Sequence, residues 1–275
     1  MPELPEVECI AQALRSGSDG IPPLPGMQID RVLLRWPGHI ARPSPSTFRR
    51  RIRGRTILDV RRRGKYLVFP LDGETMLIHL RMSGDLTMSP IGSEPGRFDR
   101  TVFTFTDPWE LRFSDSRKFG KISLVSDPQS VLGNLGPEPL DKSFTARELA
   151  SRLAGRRRML KPLLMDQTFI AGLGNIYVDE GLHRAGLHPL RTTESLAEDE
   201  VNALWRGIRA ALRAGLRHNG ASIDWVYRGG EFQNRFRVYQ RSGEPCYRCK
   251  TPIQRIVVAQ RGTHFCPECQ PEGGN

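Results

Sequence analysis

The chain has 275 residues, 38% of them hydrophobic and 8% aromatic, enough to fill the cores of two domains, or of two and a small module. Its net charge of +11 attracts polyanions, nucleic acid first and an anionic membrane second. No apolar run approaches the roughly 20 residues that span a bilayer. The acidic, proline-rich start Met1-Pro2-Glu3-Leu4-Pro5-Glu6 does not have the pattern of a secretion signal, so a cytoplasmic protein is expected.

In chain order, residues 5–16 have helical character behind the proline-rich lead. From about 27 to 125 the pattern is β: Ile29–Trp36, Thr56–Arg62, Tyr66–Leu71, Met76–Arg81, Thr101–Thr106 and Leu111–Ser114 are short, often alternating, and separated by Gly, Pro or Asp. Short strands in series predict a sandwich or barrel. The stretch Asn134–Pro139 marks a boundary. Helices are expected beyond it, at about 145–154, 161–167, 176–186 and 197–217. In the last of these Val201, Leu204, Ile208, Ala211, Leu212 and Leu216 recur at helical spacing. Residues 236–270 hold strand-like segments around four cysteines. There is no internal repeat.

Those cysteines are the strongest local signal. Cys246-x2-Cys249 and Cys266-x2-Cys269 are separated by sixteen residues, a spacing that lets four thiolates converge on one Zn²⁺. Four thiolates leave no open coordination position, so the zinc is structural. With Cys9 the total is five, an odd number that suits a metal site in a reducing compartment better than a disulfide framework. Arg248, Lys250, Arg255 and Arg261 make the module basic.

Three basic runs follow the same theme: Arg49–Arg55, Arg61–Lys65 and Arg156–Arg158. A single run is often only a solvated face. Three of them beside a basic zinc module favour a DNA groove. Gly172-Leu173-Gly174-Asn175 opens a helix and offers backbone N–H groups to a phosphate, a weak signal alone. At the start, removal of Met1 leaves Pro2 as a free secondary amine. An α-amino group has a pKa about 2.5 below that of lysine, so more of it is neutral and nucleophilic near pH 7. Glu3 and Glu6 stand close enough to serve as acid and base. From composition alone a plain Pro- and Glu-rich helix cap is the favoured reading.

The combination resembles the bacterial formamidopyrimidine-DNA glycosylases of the helix–two-turn–helix superfamily. The resemblance is carried by Pro2–Glu8, Arg63–Leu67, His79–Gly84, Asp115–Gly120, Leu135–Leu140, Asp166–Glu180 and Cys246–Gln270, in order along essentially the whole chain. It implies an α+β, multidomain fold. An N-terminal catalytic β-sandwich flanked by helices would occupy 1–136, a helical DNA-binding domain 137–235, and a β-hairpin zinc finger 236–275. It implies a monomer acting on damaged double-stranded DNA in base-excision repair. The activities are excision of formamidopyrimidines and 8-oxoguanine, then strand cleavage by β,δ-elimination. Pro2 would attack C1′ and form the Schiff base, Glu3 would protonate the sugar ring oxygen, and Lys65 and Arg261 would contact phosphates and assist elimination. Met82, Arg117 and Phe119 would fill the void left by the extruded base. Arg156, Lys161 and Asn175 would be further DNA contacts.

The sequence departs from the family in three places. Arg97-Phe98-Asp99-Arg100 stands where the family has a His-Asp-His segment, and Arg81 stands for a glycine. The segment Asn219–Phe232, where the family has its lesion-capping loop, is short, which bears on the preference for 8-oxoguanine. The endonuclease VIII branch has glycine where Leu4 stands. Two other readings are a non-catalytic damage binder on the same scaffold and a zinc-ribbon transcription or RNA-binding protein. The second accounts for the cysteines and the charge but not for the first 180 residues.

Overall fold

A computed structural model describes residues 1–18, 20–223 and 229–273. The chain forms two compact units. The first comprises Met1–Asn134 with Ala221–Gly230, the second Leu135–Gly220 with Glu231–Asn275.

The first unit opens with helix α1 (Leu4–Ser16). Glu3 is its extended N-cap, Pro5 lies in its first turn, and the Glu6 carboxylate accepts the Glu3 amide at 2.8 Å. Leu4, Val7, Ile10, Ala11 and Leu14 form one buried stripe, each large member stabilising the fold by about 1.5–3 kcal/mol. Gly17 ends the helix at φ 71°, where a Cβ would lie 2.5 Å from the Ile21 carbonyl.

Two sheets follow. One has four strands in the order β1 (Ile29–Leu34), β7 (Asp99–Phe105), β8 (Trp109–Asp115) and β6 (Gly84–Pro90), all antiparallel. The other has the order β2 (Ile40–Arg42), β9 (Lys121–Val125), β5 (Thr75–His79), β4 (Tyr66–Pro70) and β3 (Arg61–Arg63), with β2 and β9 parallel. Their inner faces share a core that includes Phe69, Ile78, Phe103, Phe113 and Ile122, as the expected sandwich requires.

Two local expectations change. The strand expected over 56–62 shrinks to β3: the Thr56 and Val60 amides donate to the Asp72 and Asp59 carboxylates, and those of Ile57 and Leu58 go to the Met27 and Pro70 carbonyls, two different partners, so no continuous ladder forms. Part of the first basic run is helix α2 (Pro45–Ile52). Ser44 caps it and Pro45 starts it, while Phe48 and Ile52, one turn apart, are buried.

The second unit is helical, with a β-hairpin at its end. After the single turn α3 (Gln129–Leu132) of the first unit come α4 (Ala146–Leu153), α5 (Leu160–Met165), α6 (Asn175–Ala185) and α7 (Glu198–Arg217). Helices α6 and α7 pack closely, for a Cβ on Gly207 would lie 2.5 Å from the Gly181 carbonyl. Strands β10 (Gln254–Val258) and β11 (Arg261–Phe265) pair antiparallel. Their two-residue turn, Ala259-Gln260, has φ 46° and 62°, the left-handed pair that a tight hairpin demands. Among the described residues no helix is long and apolar enough to cross a membrane.

Candidate active site and nucleic-acid interface

In the first unit, Met1 is exposed while Pro2 and Glu3 are buried. Glu6 holds two amides. One carboxylate oxygen takes the Glu3 N–H, and the other takes the Ala221 N–H at 2.8 Å. The carboxylate thus ties the start of α1 to the entrance of the segment read as shortened. Of that segment, residues 224–228 lie outside the described residues; its base is closed by the Gly230 N–H donating to Ser222 Oγ at 2.8 Å.

Lys65 occupies the two-residue turn Gly64-Lys65 between β3 and β4 and is buried. The Arg62–Glu8 ion pair, 2.8 Å, clamps this hairpin to α1. His79 lies across the ladder from Tyr66, and the two rings meet edge to face at 4.6 Å. Burial, together with the charges of Arg81 and Lys65, pushes the His79 imidazole down to about 3. It is neutral, and its Nδ1 accepts the Arg81 N–H at 3.0 Å, which leaves Nε2 as the donor. Residue-type reasoning passed over His79 as part of a longer motif; its nearness to Lys65 requires the fold.

The second group sits on two turns. Met82 is half-buried on the β5–β6 connection, and Arg117 and Phe119 are exposed on the β8–β9 turn. One buried carboxylate organises both. Asp115 Oδ2 accepts the Gly120 N–H at 2.7 Å, and Oδ1 accepts the Ser83 hydroxyl and the Arg117 N–H. His39 Nε2 lies 3.3 Å from Oδ2, with neither side chain exposed. Burial opposes the charge, but the donors from His39, Ser83 and Gly120 outweigh it and hold Asp115 at about 2. Gly120 is required, since a Cβ there would lie 2.3 Å from the Phe113 ring.

The third group lies in the second unit. Arg156 is exposed, its guanidinium 5.5 Å from the Phe169 ring centroid. Arg261 is exposed and directly follows the tight hairpin turn. Asn175 Nδ2 donates to the Gly262 carbonyl at 2.9 Å. Lys161, expected at the DNA surface, is only 1% exposed. Its Nζ lies 2.6 Å from Asp179 Oδ1 and donates to Gly262 O at 3.2 Å. The other Asp179 oxygen accepts the His264 amide at 2.9 Å. Lys161, Asp179 and Asn175 therefore grip the hairpin next to Arg261. Glu180 accepts three consecutive amides, from Arg237, Val238 and Tyr239, at 2.8–3.1 Å. Sequence reasoning missed both acids, which looked like ordinary helix charges.

The four cysteine sulfurs lie within 4.8 Å of one another. Hydrogen bonds from Thr251 draw the Cys249 thiol down to about 6, whereas burial pushes Cys266 and Cys269 up. Four crowded thiolates need a divalent cation, and an all-sulfur tetrahedral set suits zinc. His183 Nε2 and the Arg248 N–H approach Cys246 Sγ at 3.6 and 3.4 Å.

A sandwich with buried Glu3 and Lys65, and a helical unit with a four-cysteine module, define the class: a zinc-bearing α+β protein suited to a polyanion. Family models match the chain in three parts. Residues 1–122 match the formamidopyrimidine-DNA glycosylase N-terminal domain, 135–226 its H2TH domain, and 243–271 the zinc finger found in FPG and IleRS. The chain belongs to the formamidopyrimidine-DNA glycosylase family. It is 45% identical to the formamidopyrimidine-DNA glycosylase of Roseiflexus sp., over 98% of this chain and all of that one. The Geobacillus kaustophilus protein of the same name is 42% identical with the same coverage. Among solved structures it is similar to Lactococcus lactis Fpg (MutM) in complex with DNA containing N7-benzyl-Fapy-dG. That match has a TM-score of 0.91 and 35% identity, covering 98% of this chain and all of that one. A second match, MutM with DNA containing carbocyclic 8-oxo-G, has a TM-score of 0.90 and 34% identity over the same shares. One structural zinc is held by Cys246, Cys249, Cys266 and Cys269.

Proposed function

We propose that the chain is a bifunctional DNA glycosylase and abasic-site lyase that removes oxidised purines, formamidopyrimidines and 8-oxoguanine, from double-stranded DNA. The observation that carries this reading is the N-terminus: Pro2 and Glu3 are buried at the head of a helix whose Glu6 carboxylate fixes the Glu3 backbone. Full-length identity of 45% to a formamidopyrimidine-DNA glycosylase supports it.

Once Met1 is removed, the Pro2 nitrogen attacks C1′ of the extruded nucleotide. The N-glycosidic bond breaks and its electron pair leaves with the base. Glu3 protonates O4′, the sugar ring opens, and an iminium joins Pro2 to C1′. Loss of a C2′ proton expels the 3′-phosphate. Loss of a C4′ proton expels the 5′-phosphate. Lys65 and Arg261 neutralise the phosphates during these steps. Met82, Arg117 and Phe119 fill the vacated stack, and Arg156 and Asn175 face the backbone. Lys161 acts through the hairpin it holds, since it is sealed from solvent. In this reading 1–136 is catalytic, 137–235 binds DNA, and 236–275 delivers Arg261. The protein works as a monomer in the bacterial cytoplasm, where free thiols persist.

Borohydride trapping tests the reading. Zinc-loaded protein should form a covalent adduct with DNA carrying a formamidopyrimidine, 8-oxoguanine or an abasic site. Absence of an adduct with all three overturns it.

A further inference from the structure

Two exposed aromatic residues have no part in the mechanism. Trp36 is 37% exposed and Phe98 is 40% exposed. Each carries cations. Lys118 Nζ lies 4.5 Å from the Trp36 ring, and the Arg97 and Arg100 guanidiniums lie 5.3 and 5.6 Å from the Phe98 ring. Phe119 has the same arrangement with Arg117 at 5.0 Å.

Backbone hydrogen bonds join the segments that carry these rings. The Phe98 carbonyl accepts the Asp115 N–H at 2.8 Å. The Arg100 carbonyl accepts the amides of Arg35 and Trp36 at 2.9 and 3.1 Å. Trp36 packs over Gly38, where a Cβ would lie 2.8 Å from the indole nitrogen. Lys118 sits on the same turn as Phe119, at φ 61°. The main chain thus ties the segments that carry these rings to one another.

We infer that Trp36 and Phe98 extend the Phe119 turn into an aromatic ledge that stacks unpaired bases of the strand opposite the damage. The inference rests on the reading of Arg117 and Phe119 as DNA contacts. Every base has a π-face, so stacking needs no particular sequence. A base that slides onto Phe98 displaces a guanidinium, which is then free to meet the strand's phosphate. Stacking a base is the stronger of the two contacts, so the exchange favours bound DNA. A histidine at position 98 would offer a polar contact; phenylalanine offers only a surface, with Arg100 beside it for the phosphate.

The test is anisotropy with labelled duplex carrying a single-nucleotide gap, compared with intact duplex. Phe98→Ala and Trp36→Ala should each weaken gapped-duplex binding about tenfold and leave intact-duplex binding unchanged. Phe98→Tyr and Trp36→Phe, which keep a ring, should restore it. The salt dependence should stay that of wild type in Phe98→Ala but flatten in Arg100→Ala. Unchanged gapped-duplex binding in both alanine variants overturns the inference. So does equal weakening on intact duplex, or ring-dependent binding to anionic vesicles with none to gapped DNA. Borohydride trapping run in parallel separates the two readings: failed trapping with ring-dependent gap binding removes the glycosylase assignment and leaves the ledge.

Discussion

The Lys161 ammonium and the Asp179 carboxylate meet at 2.6 Å in a space that solvent does not reach, one helix apart from each other and both bonded to the zinc hairpin. Removing one partner strands the other charge. Lys161→Ala should cost about 3–5 kcal/mol, measured by urea unfolding. Pairing Lys161→Met with Asp179→Asn should recover part of that loss, because no carboxylate then remains unpaired. If Lys161 touched DNA instead, the single variant would lose affinity with little change in stability.

Asp115 makes a prediction in pH. Its folded pKa, about 2, lies below the ordinary carboxylate value near 3.8. A carboxylate with a depressed folded pKa stabilises the protein above its unfolded value and loses that contribution as pH falls through the folded one. The window is therefore about pH 4 down to 2, and the size about 2 kcal/mol. Asp115→Asn should flatten that part of the acid unfolding curve. It should also blur discrimination between cytosine and adenine opposite the lesion, read by single-turnover excision.

His79 runs on a different window. Its folded pKa near 3 lies below the usual 6.5. The neutral ring favours the fold above 6.5, and that contribution drains away as pH drops toward 3, because the unfolded chain takes up the proton first. ¹⁵N NMR should show one neutral tautomer, protonated at Nε2, from pH 8 to 5. A titration midpoint near 6.5 would contradict the burial.

Zinc removal gives the fourth test. A chelator with a thiol-reactive probe should release one zinc per chain from the four cysteines. The His264 and Val238 amides should then lose hydrogen-exchange protection while α7 keeps its own. Trapping should fall with them. Retained protection would mean that the sulfur cluster does not hold the hairpin.

Much of this was legible in the sequence. Alternation and turn residues revealed a sandwich, helical spacing revealed α7, and the cysteine spacing revealed the metal site. What stayed hidden depends on long-range partners. The 56–62 strand failed because Asp59 and Asp72 intercept two of its amides and the next two turn to different partners, which no periodicity reports. The helix α2 hid inside a run of arginines, although Ser44-Pro45 and the Phe48–Ile52 spacing would have disclosed it. Lys161 looked like a surface cation because its partner is eighteen residues away, one turn inside the next helix.

The α6 helix sends Asn175, Asp179, Glu180 and His183 to four different places on the hairpin module: a strand carbonyl, a strand amide, the lead-in backbone and a cysteine sulfur. In a genetic screen for bacteria that mutate too fast, damage to this one helix should be indistinguishable from damage to the cysteines themselves. The inherited vulnerability of the metal module is thus written mainly outside it, in a stretch of chain that binds no metal.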